Sequence, residues 1–160
     1  MKAMVSILDY LPEHQVSIRR ILEKTGWAEQ YIASAEENAH RFSNDKENCG
    51  VYIAVCSEMV VGFLYVQYYA WNRLCQIQGL AVDPEVQRQG IASGLVARAE
   101  DFAKSRQARG IYVDTPTLNS GGRKFYEAAG YQVGYIMPRY YEVKLDGVTY
   151  QRFFDIEQTW

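Results

Sequence analysis

The stretch GLAVDPEVQRQGIASG (79–94) decides the fold predicted for this chain. It starts as an apolar, strand-like run, passes through a polar loop, and reaches small residues where a helical pattern begins. The amides of a first helical turn lack partners inside the helix, and the helix dipole adds partial positive charge there. Because Gly90 and Ala92 carry little or no side chain, an anion can approach the backbone closely. The stretch therefore predicts a helix N-terminus that binds a phosphate or pyrophosphate.

The same stretch does not match the common nucleotide-binding motifs. A Walker A loop requires GxxxxGK[ST], and no Lys followed by Ser or Thr occurs here. A Rossmann turn requires GxGxxG, whereas this loop contains only Gly90 and Gly94. Arg88 is placed to add a charge-assisted contact to a bound anion. The alternative for Arg88 is a solvated loop charge.

Apolar periodicity around this stretch predicts a strand–helix–strand unit inside a series of hairpins. Strands are predicted at 5–9, 51–56, 60–69, 74–82, 111–114, 131–135, 140–145 and 148–154. Helices are predicted from Pro12 to Gly26, over 28–42, from Gly90 to Gly110, and over 120–129. This order gives an α/β fold with a mixed, mostly antiparallel sheet and helices on both faces. Strands 74–82 and 110–114 are expected to be parallel, joined by a right-handed crossover.

Local signals add detail to this prediction. The helix over 28–42 is polar enough to be an exposed one, whereas the helix before it should bury Val16, Ile18, Ile21 and Leu22. The helix after Gly90 has an apolar stripe formed by Ile91, Leu95, Val96, Ala99 and Phe102. Gly79, inside a strand, predicts a bulge or a close backbone approach. Asp146-Gly147 predicts a tight hairpin turn.

Composition limits the classes of function. The 160 residues suit a single domain over 1–160, and the net charge of −2 argues against a general nucleic-acid partner. Cys49, Cys56 and Cys75 form no CxxC pair, which fits reduced thiols rather than disulfides or a metal site. No signal peptide is evident, and no apolar run reaches the roughly 20 residues of a membrane span. We therefore expect a cytoplasmic protein with no metal and no membrane partner.

The hexapeptide Gln87-Arg88-Gln89-Gly90-Ile91-Ala92 matches the pattern [QR]-x-x-G-x-[GA]. With GLAVDPEV before it, and with Asn119 and then FYEAAGY (125–131) after it, the chain resembles the GNAT superfamily of acetyl-CoA-dependent N-acetyltransferases. The resemblance is strongest over residues 50–135. It implies the GNAT fold with a splayed parallel strand pair, and direct transfer of an acetyl group from acetyl-CoA to an amine.

The resemblance also implies which residues act. The pyrophosphate is expected on the signature loop, on Gln87, Arg88, Gln89, Gly90, Ile91, Ala92 and Ser93. The pantetheine arm is expected along backbone groups of Leu80, Ala81 and Val82, where an N–H would also stabilise the carbonyl oxygen. Asn119 resembles a residue that contacts this arm, the alternative being a helix N-cap. Tyr126 resembles the tyrosine that protonates the leaving thiolate, the alternative being a packing role in the core.

One position departs from the family pattern. Many members carry a glutamate general base on the strand before the signature, whereas Gln76 stands there and Gln78 is the next residue on that face. Neither amide accepts a proton, so the base is unassigned. Glu142 and Asp114 are candidates, and a water chain or an acceptor that arrives neutral is the alternative.

Aromatic residues are the one compositional excess, with 13 tyrosines in the chain. Family substrates usually enter between the first two helices and the last strands, so we expect an acceptor pocket lined by Trp27, Tyr31, Trp71, Tyr140 and Tyr141. The expected acceptor is a small amine, an amino acid derivative or a peptide N-terminus. Dimers are common in the family, which favours a homodimer. The rival hypotheses are a non-catalytic CoA-binding sensor and a transferase for a longer acyl group.

Overall fold

The computed structural model describes residues 4–86 and 90–154 of the chain. Its strands are β1 (Val5–Asp9), β2 (Cys49–Cys56), β3 (Met59–Tyr69), β4 (Leu74–Val82), β5 (Gly110–Pro116), β6 (Gln132–Glu142) and β7 (Leu145–Phe153). Its helices are α1 (Gln15–Lys24), α2 (Glu29–Ser43), α3 (Ile91–Ser105) and α4 (Ser120–Ala128), with short 3₁₀ turns at Pro12–His14 and Pro84–Val86. Within these described residues, each helix is too short or too polar to cross a membrane.

The strands form a mixed sheet in the order β1-β2-β3-β4-β5-β7-β6. β1 pairs antiparallel with β2, and β2 with β3, while β7 pairs antiparallel with both β5 and β6. β4 and β5 run parallel, with Leu74 opposite Gly110 and Ile77 opposite Val113. The mixed, mostly antiparallel sheet and its parallel pair, both predicted from the sequence, are confirmed.

Residue contacts divide the chain into two units, Met1–Gln67 with Gln78–Phe102, and Tyr68–Ile77 with Ala103–Trp160. In the first unit, α1 and α2 pack on one face of β2 and β3. Their common core includes Ile18, Ile21, Leu22, Ile32, Ala35, Ala39, Phe42, Val51, Ile53, Phe63 and Tyr65. α3 packs on the other face, since a Cβ at Gly62 would lie 3.2 Å from Leu95 Cδ1, and Arg98 lies 4.4 Å above the Tyr52 ring.

The burial of the first two helices differs from the prediction in two respects. α2 was expected to be polar and exposed, but Ile32, Ala35, Ala39 and Phe42 are buried. These positions lie three, four and three residues apart, so they share one helical face, and the small alanines let α2 approach the sheet closely. Val16 was expected on the buried side of α1 and is instead 78% exposed.

In the second unit, β5 and β7 carry two contrasting faces. On one face Val113 and Tyr150 are buried, and Tyr126 of α4 stacks on the Tyr150 ring with the centroids 5.8 Å apart. On the other face lie the half-buried side chains of Tyr112 and Asp114, because successive strand residues point in opposite directions. α4 therefore packs against the apolar face of this part of the sheet.

The predicted turn at Asp146-Gly147 is wrong. β6 and β7 are joined at Val143-Lys144, and Asp146 and Gly147 both lie inside β7. The two strands predicted over 131–135 and 140–145 form the single strand β6, whose register with β7 is irregular after Met137. At this irregularity Asp146 Oδ1 accepts a hydrogen bond from the Arg139 N–H at 2.8 Å.

The predicted end of the α3 helix at Gly110 is also wrong. α3 ends at Ser105, and the chain reverses through Gln107, which has a φ of +57°. Gly110 is instead the first residue of β5. A Cβ at Gly110 would lie 2.7 Å from the Arg152 carbonyl oxygen, so this glycine permits close strand packing rather than a helix stop.

Gly79 in β4 is a site of close approach, as the sequence predicted. A Cβ there would overlap the ring of Tyr65, and would lie 2.7 Å from its hydroxyl oxygen. The Tyr65 ring is itself confined, because it stacks on Phe63 with centroids 6.0 Å apart and meets Phe42 edge-on at 5.5 Å. The absence of a side chain at Gly79 thus makes room for a fixed aromatic ring in the core of the first unit.

We expect Gly79→Ala to lower the free energy of unfolding by about 1–3 kcal/mol, because the added methyl group forces the packed Tyr65 ring to move. Gly94→Ala is the matched control. Its Cβ would meet Ile7 only at 3.7 Å, and alanine favours the helical conformation there, so the change should be neutral or stabilising. Urea unfolding monitored by circular dichroism measures both variants, and equal loss of stability in the two would contradict the packing role of Gly79.

Candidate functional site

The start of α3 is a helix N-terminus in the first unit. Gly90 directly precedes the helix with a φ of +78°, which glycine adopts without strain. Its carbonyl oxygen accepts the first intrahelical hydrogen bond, from the Gly94 N–H at 3.0 Å. The N–H groups of Ile91, Ala92 and Ser93 therefore belong to the turn that has no partner within the helix. A Cβ at Gly90 would meet none of the described residues within 4 Å.

The segment that leads to this N-terminus is anchored by Asp83. The Asp83 side chain is buried, pairs with Lys24 Nζ of α1 at 3.0 Å, and accepts the Glu85 N–H at 3.0 Å. Burial by itself raises the pKa of this carboxyl group, but the Glu85 amide and the Lys24 ammonium outweigh it and lower the pKa of Asp83. Glu85 also lies 3.2 Å from Lys24 Nζ. Both acidic residues thus tie the chain directly after β4 to α1.

The structure describes some, but not all, of the other residues predicted to bind acetyl-CoA in the first unit. Gln87, Arg88 and Gln89 lie outside the described residues. Leu80, Ala81 and Val82 are the last three residues of β4, and the latter two are buried. The parallel pairing with β5 covers residues 74–77 of β4, and the strand continues beyond it to Val82. The contact of these backbone groups with the pantetheine arm stays a prediction.

The polar face of β5 in the second unit carries a group of side chains that we name the Asp114 cluster. It consists of Tyr69, Gln76, Tyr112, Asp114, Tyr140 and Thr149. Strand register brings them together, because Gln76 stands opposite Tyr112 and Thr149 stands opposite Asp114. Each of these residues projects from the face opposite to α4, so the cluster is a consequence of strand alternation.

Hydrogen bonds join the cluster around one carboxylate. Asp114 accepts hydrogen bonds from Gln76 Nε2 at 3.3 Å, from the Tyr140 hydroxyl at 3.4 Å, and from the Thr149 hydroxyl. Within the described residues Asp114 makes no ion pair, so all its partners are neutral donors. A carboxylate surrounded by neutral donors and aromatic rings is suited to meet a positively charged group or to accept a proton.

The phenols around Asp114 remain protonated at ordinary pH. Burial, with added repulsion from Tyr69 and Asp114, raises the pKa of Tyr112 to about 12. Burial and the negative charge of Asp114 also raise the pKa of Tyr140. These hydroxyl groups can therefore act as hydrogen-bond donors but not as bases. The described part of the chain contains no group of three or more His, Cys, Asp or Glu side chains arranged to hold a metal ion.

Tyr126 lies on α4 in an aromatic environment. Its side chain is 6% exposed, and its ring packs near those of Phe125, Tyr131 and Tyr150 at centroid distances of 5.1, 5.7 and 5.8 Å. Burial raises the pKa of the Tyr126 phenol well above its usual range. The packing role considered from the sequence is therefore present, and because the raised pKa makes the phenol a weaker acid, the role as proton donor stays a prediction.

Asn119 is the N-cap of α4, as one of the two sequence interpretations proposed. Its side-chain oxygen accepts the Gly122 N–H at 3.0 Å, and its amide nitrogen donates to the Thr115 hydroxyl at 3.0 Å. A Cβ at Gly122 would lie 2.5 Å from the Asn119 amide nitrogen, which shows how closely the cap is packed. Contact with the pantetheine arm stays a prediction for this residue.

The aromatic residues predicted to line the acceptor pocket occur in both units. Trp27 and Tyr31 are exposed near the start of α2 in the first unit, and Trp71 is 85% exposed between β3 and β4 in the second. Tyr140 and Tyr141 lie late in β6 with their rings 4.9 Å apart. Of these five, the structure brings Tyr140 into the Asp114 cluster.

Three members of the Asp114 cluster were missed by sequence analysis, namely Tyr69, Tyr112 and Thr149. For Tyr112 a signal existed, because it lies two residues before Asp114 in a predicted strand and so shares its face. Tyr69 and Thr149 required knowledge of the strand register, which no local pattern supplies. Glu142, the other candidate base, is exposed at the last position of β6.

Comparison with known proteins supports the resemblance carried by these residues. The family model described as the acetyltransferase (GNAT) family matches residues 16–131. The chain belongs to this family. The matched range includes the α3 N-terminus in the first unit and, in the second unit, the members of the Asp114 cluster on β3, β4 and β5.

Individual relatives are similar to this GNAT chain over only part of its length or at low sequence identity. A streptothricin acetyltransferase from Streptomyces lavendulae is 31% identical over 72 residues, which are 45% of this chain and 38% of the relative. The chain thus spans less than half the length of that curated relative. A GNAT-family protein from Desulfovibrio desulfuricans has the same fold, with a TM-score of 0.84, 20% identity, and coverage of 94% and 99% of the two chains. A Bacillus anthracis protein described as a streptothricin acetyltransferase, in complex with acetyl coenzyme A, gives a TM-score of 0.63 with 26% identity over 67% and 63% of the chains.

Proposed function

We propose that this GNAT-family chain transfers the acetyl group of acetyl-CoA directly to the nitrogen of an amine. The observation that carries the proposal is the amide-rich start of α3 at Gly90, within the residues that match the family. The relative from Bacillus anthracis in complex with acetyl coenzyme A supports the choice of co-substrate. Release of free thiol from acetyl-CoA in the presence of a panel of amines tests the proposal.

The residues at this helix start fit a bound diphosphate. The N–H groups of Ile91, Ala92 and Ser93 supply donors, the helix dipole favours negative charge, and Gly90 carries no side chain. Gln87, Arg88 and Gln89 are also proposed to bind the diphosphate, on the family resemblance, with Arg88 adding a charge-assisted contact. Leu80, Ala81, Val82 and Asn119 contact the pantetheine arm. When bound, the co-substrate supplies the reactive thioester.

The acceptor nitrogen loses two protons, one before and one after it attacks the thioester. Its ammonium form gives one proton to the Asp114 carboxylate, and the neutral nitrogen then forms a bond to the acetyl carbonyl carbon. The nitrogen gives its second proton to solvent as the carbon–sulfur bond breaks, the sulfur takes a proton from the Tyr126 phenol, and the phenolate regains a proton from solvent. A backbone N–H of Leu80 or Val82 stabilises the carbonyl oxygen. Tyr126 is the proposed proton donor on the family resemblance, and burial keeps its phenol protonated until the sulfur departs.

The Asp114 cluster favours a cationic acceptor. Asp114 makes no ion pair within the described part of the chain, and Tyr112 and Tyr140 offer ring surface beside it. A primary ammonium group on a small molecule would form an ion pair with the Asp114 carboxylate. The relative from Streptomyces lavendulae, named a streptothricin acetyltransferase, makes streptothricin the first acceptor to test, with amino acid amides and short peptides next. Trp27, Tyr31, Trp71 and Tyr141 are proposed to contact the rest of the acceptor.

The rival function is a domain that binds CoA without transferring the acyl group. Gln76 in place of the usual glutamate is the observation that favours it. Tight binding of CoA with no thiol release on any amine, including at alkaline pH where the amines are neutral, would support this rival. Competition by longer acyl-CoA esters separates acetyl transfer from transfer of a longer chain. Assembly as a homodimer and a cytoplasmic location remain proposals alongside this function.

Gly90→Glu should weaken CoA binding by at least about tenfold, because a carboxylate would stand where the helix dipole and amides favour an anion. Gly26→Glu is the matched control. Gly26 also has a positive φ, +79°, and open space at its Cβ, but it follows the end of α1. Isothermal titration with CoA measures both variants. Unchanged affinity in Gly90→Glu would remove the phosphate assignment.

Asp114→Asn should lower kcat/KM for the amine by about 10²–10⁴-fold, the usual contribution of a general base, with little change in acetyl-CoA affinity. The loss should shrink as the pH rises toward the pKa of the acceptor, because more amine is then already neutral. Thiol-release kinetics between pH 6 and 10 measure both effects. Glu142→Gln is the control and should behave as wild type, whereas the reverse ranking of the two variants would assign the base to Glu142.

Tyr126→Phe should lower kcat by about 10²-fold or more while acetyl-CoA affinity stays within a factor of about two, since the substitution removes the acidic proton but keeps the ring. Tyr131→Phe is the control, because Tyr131 is a buried neighbour with its ring 5.7 Å away. Steady-state kinetics and CoA titration give the two values. Normal turnover in Tyr126→Phe would leave this residue with a packing role alone.

A further inference from the structure

Gln76 joins three members of the Asp114 cluster through a single side-chain amide. Its oxygen, Oε1, accepts hydrogen bonds from the Tyr69 hydroxyl at 3.1 Å and from the Tyr112 hydroxyl at 3.3 Å. Its nitrogen, Nε2, donates to Asp114 Oδ2 at 3.3 Å. Both ends of the amide are therefore used, and the phenols fix which end faces the carboxylate.

The partners at this position need a side chain with both an acceptor and a donor, and an amide provides the two. Two phenol hydroxyls need an acceptor, and the Asp114 carboxylate needs a donor. A glutamate would satisfy the phenols but would present an acceptor, and a second negative charge, to Asp114. Two carboxylates that share a site cannot both ionise easily, so one of them would hold its proton to a higher pH than an isolated carboxyl group. Gln76 avoids this conflict while it fills nearly the same volume.

We propose that Gln76 is a positioning residue that orients Asp114 and keeps it available as the proton acceptor on the neighbouring strand. This inference rests on the proposed function, in which Asp114 receives the proton of the amine. Gln76 itself exchanges no proton. The family pattern has a glutamate base at this position on β4, whereas in this chain the proposed base is Asp114 on β5.

The groups that face Asp114 come from five strands. Tyr69 lies on β3, Gln76 on β4, Tyr112 beside Asp114 on β5, Tyr135 and Tyr140 on β6, and Thr149 on β7. The titratable members other than Asp114 are phenols, and Tyr112 and Tyr140 have raised pKa values. They stay neutral through the range in which a carboxyl group titrates. A change in the acid limb of the activity profile therefore reports on Asp114 and its amide partner.

The test compares the pH dependence of amine kcat/KM in wild type, Gln76→Leu and Gln76→Glu. Gln76→Leu removes the hydrogen bond to the charged carboxylate, and Gln76→Glu also adds a like charge, so both should move the acid limb to higher pH. We expect the larger shift, about one pH unit or more, in Gln76→Glu. KM for acetyl-CoA should stay near the wild-type value. Gln132→Glu, a matched change at an exposed position at the start of β6, should leave the limb in place.

The outcomes distinguish failure of the positioning role of Gln76 from failure of the proposed function. An acid limb that is unmoved in both Gln76 variants would overturn the positioning role, even if Asp114→Asn is inactive. Wild-type activity in Asp114→Asn alone would instead contradict the proposed role of Asp114. Thermal unfolding checks that each variant is folded, and Gln76→Leu provides the test if Gln76→Glu does not fold.

Discussion

The two-sided pairing of β5 is the constraint on which the candidate site depends. β4 runs beside β5 in parallel and β7 runs beside it antiparallel, so each β5 residue has fixed neighbours on both sides. Gln76 consequently stands opposite Tyr112, and Thr149 opposite Asp114. A slip of β5 by one residue would turn Asp114 toward the face covered by α4 and would expose Val113. Burial of the apolar face of β5 therefore fixes Asp114 on the polar face of the same strand.

Local sequence patterns predicted the elements in which one face is clearly apolar. β4 occupies Leu74–Val82, as predicted, and α3 buries the predicted stripe of apolar residues. The same reasoning failed where contacts between distant residues decide the outcome. Asp146-Gly147 has the composition of a two-residue turn, but Gly147 lies in a strand at a point where a Cβ would sit 3.0 Å from Tyr140 Cβ. The glycine serves side-chain packing there, and no local rule distinguishes that from a turn.

The candidate site was predictable to the extent that it is contiguous in sequence. The helix start at Gly90 could be located because the strand, the loop and the helix follow one another directly. The Asp114 cluster could not, since Gln76 and Asp114 are 38 residues apart and their contact depends on strand register. The ion pair between Asp83 and Lys24 was equally unpredictable, because the two residues are 59 positions apart in the sequence. Sequence analysis therefore reached Asp114 only as one of two candidate bases.

The departure from the family pattern at position 76 and the carboxylate on the next strand are best understood together. Removing a glutamate from β4 takes away a base, but it also takes away the charge that would compete with Asp114 for ionisation. An amide in its place offers a donor to the carboxylate and an acceptor to Tyr69 and Tyr112, whereas an ionised carboxylate has no donor and an aliphatic side chain has neither. The face then holds one charge with its hydrogen-bond partners oriented around it. On this physical ground, the glutamine is a compensating feature of the proposed site rather than a sign of lost activity.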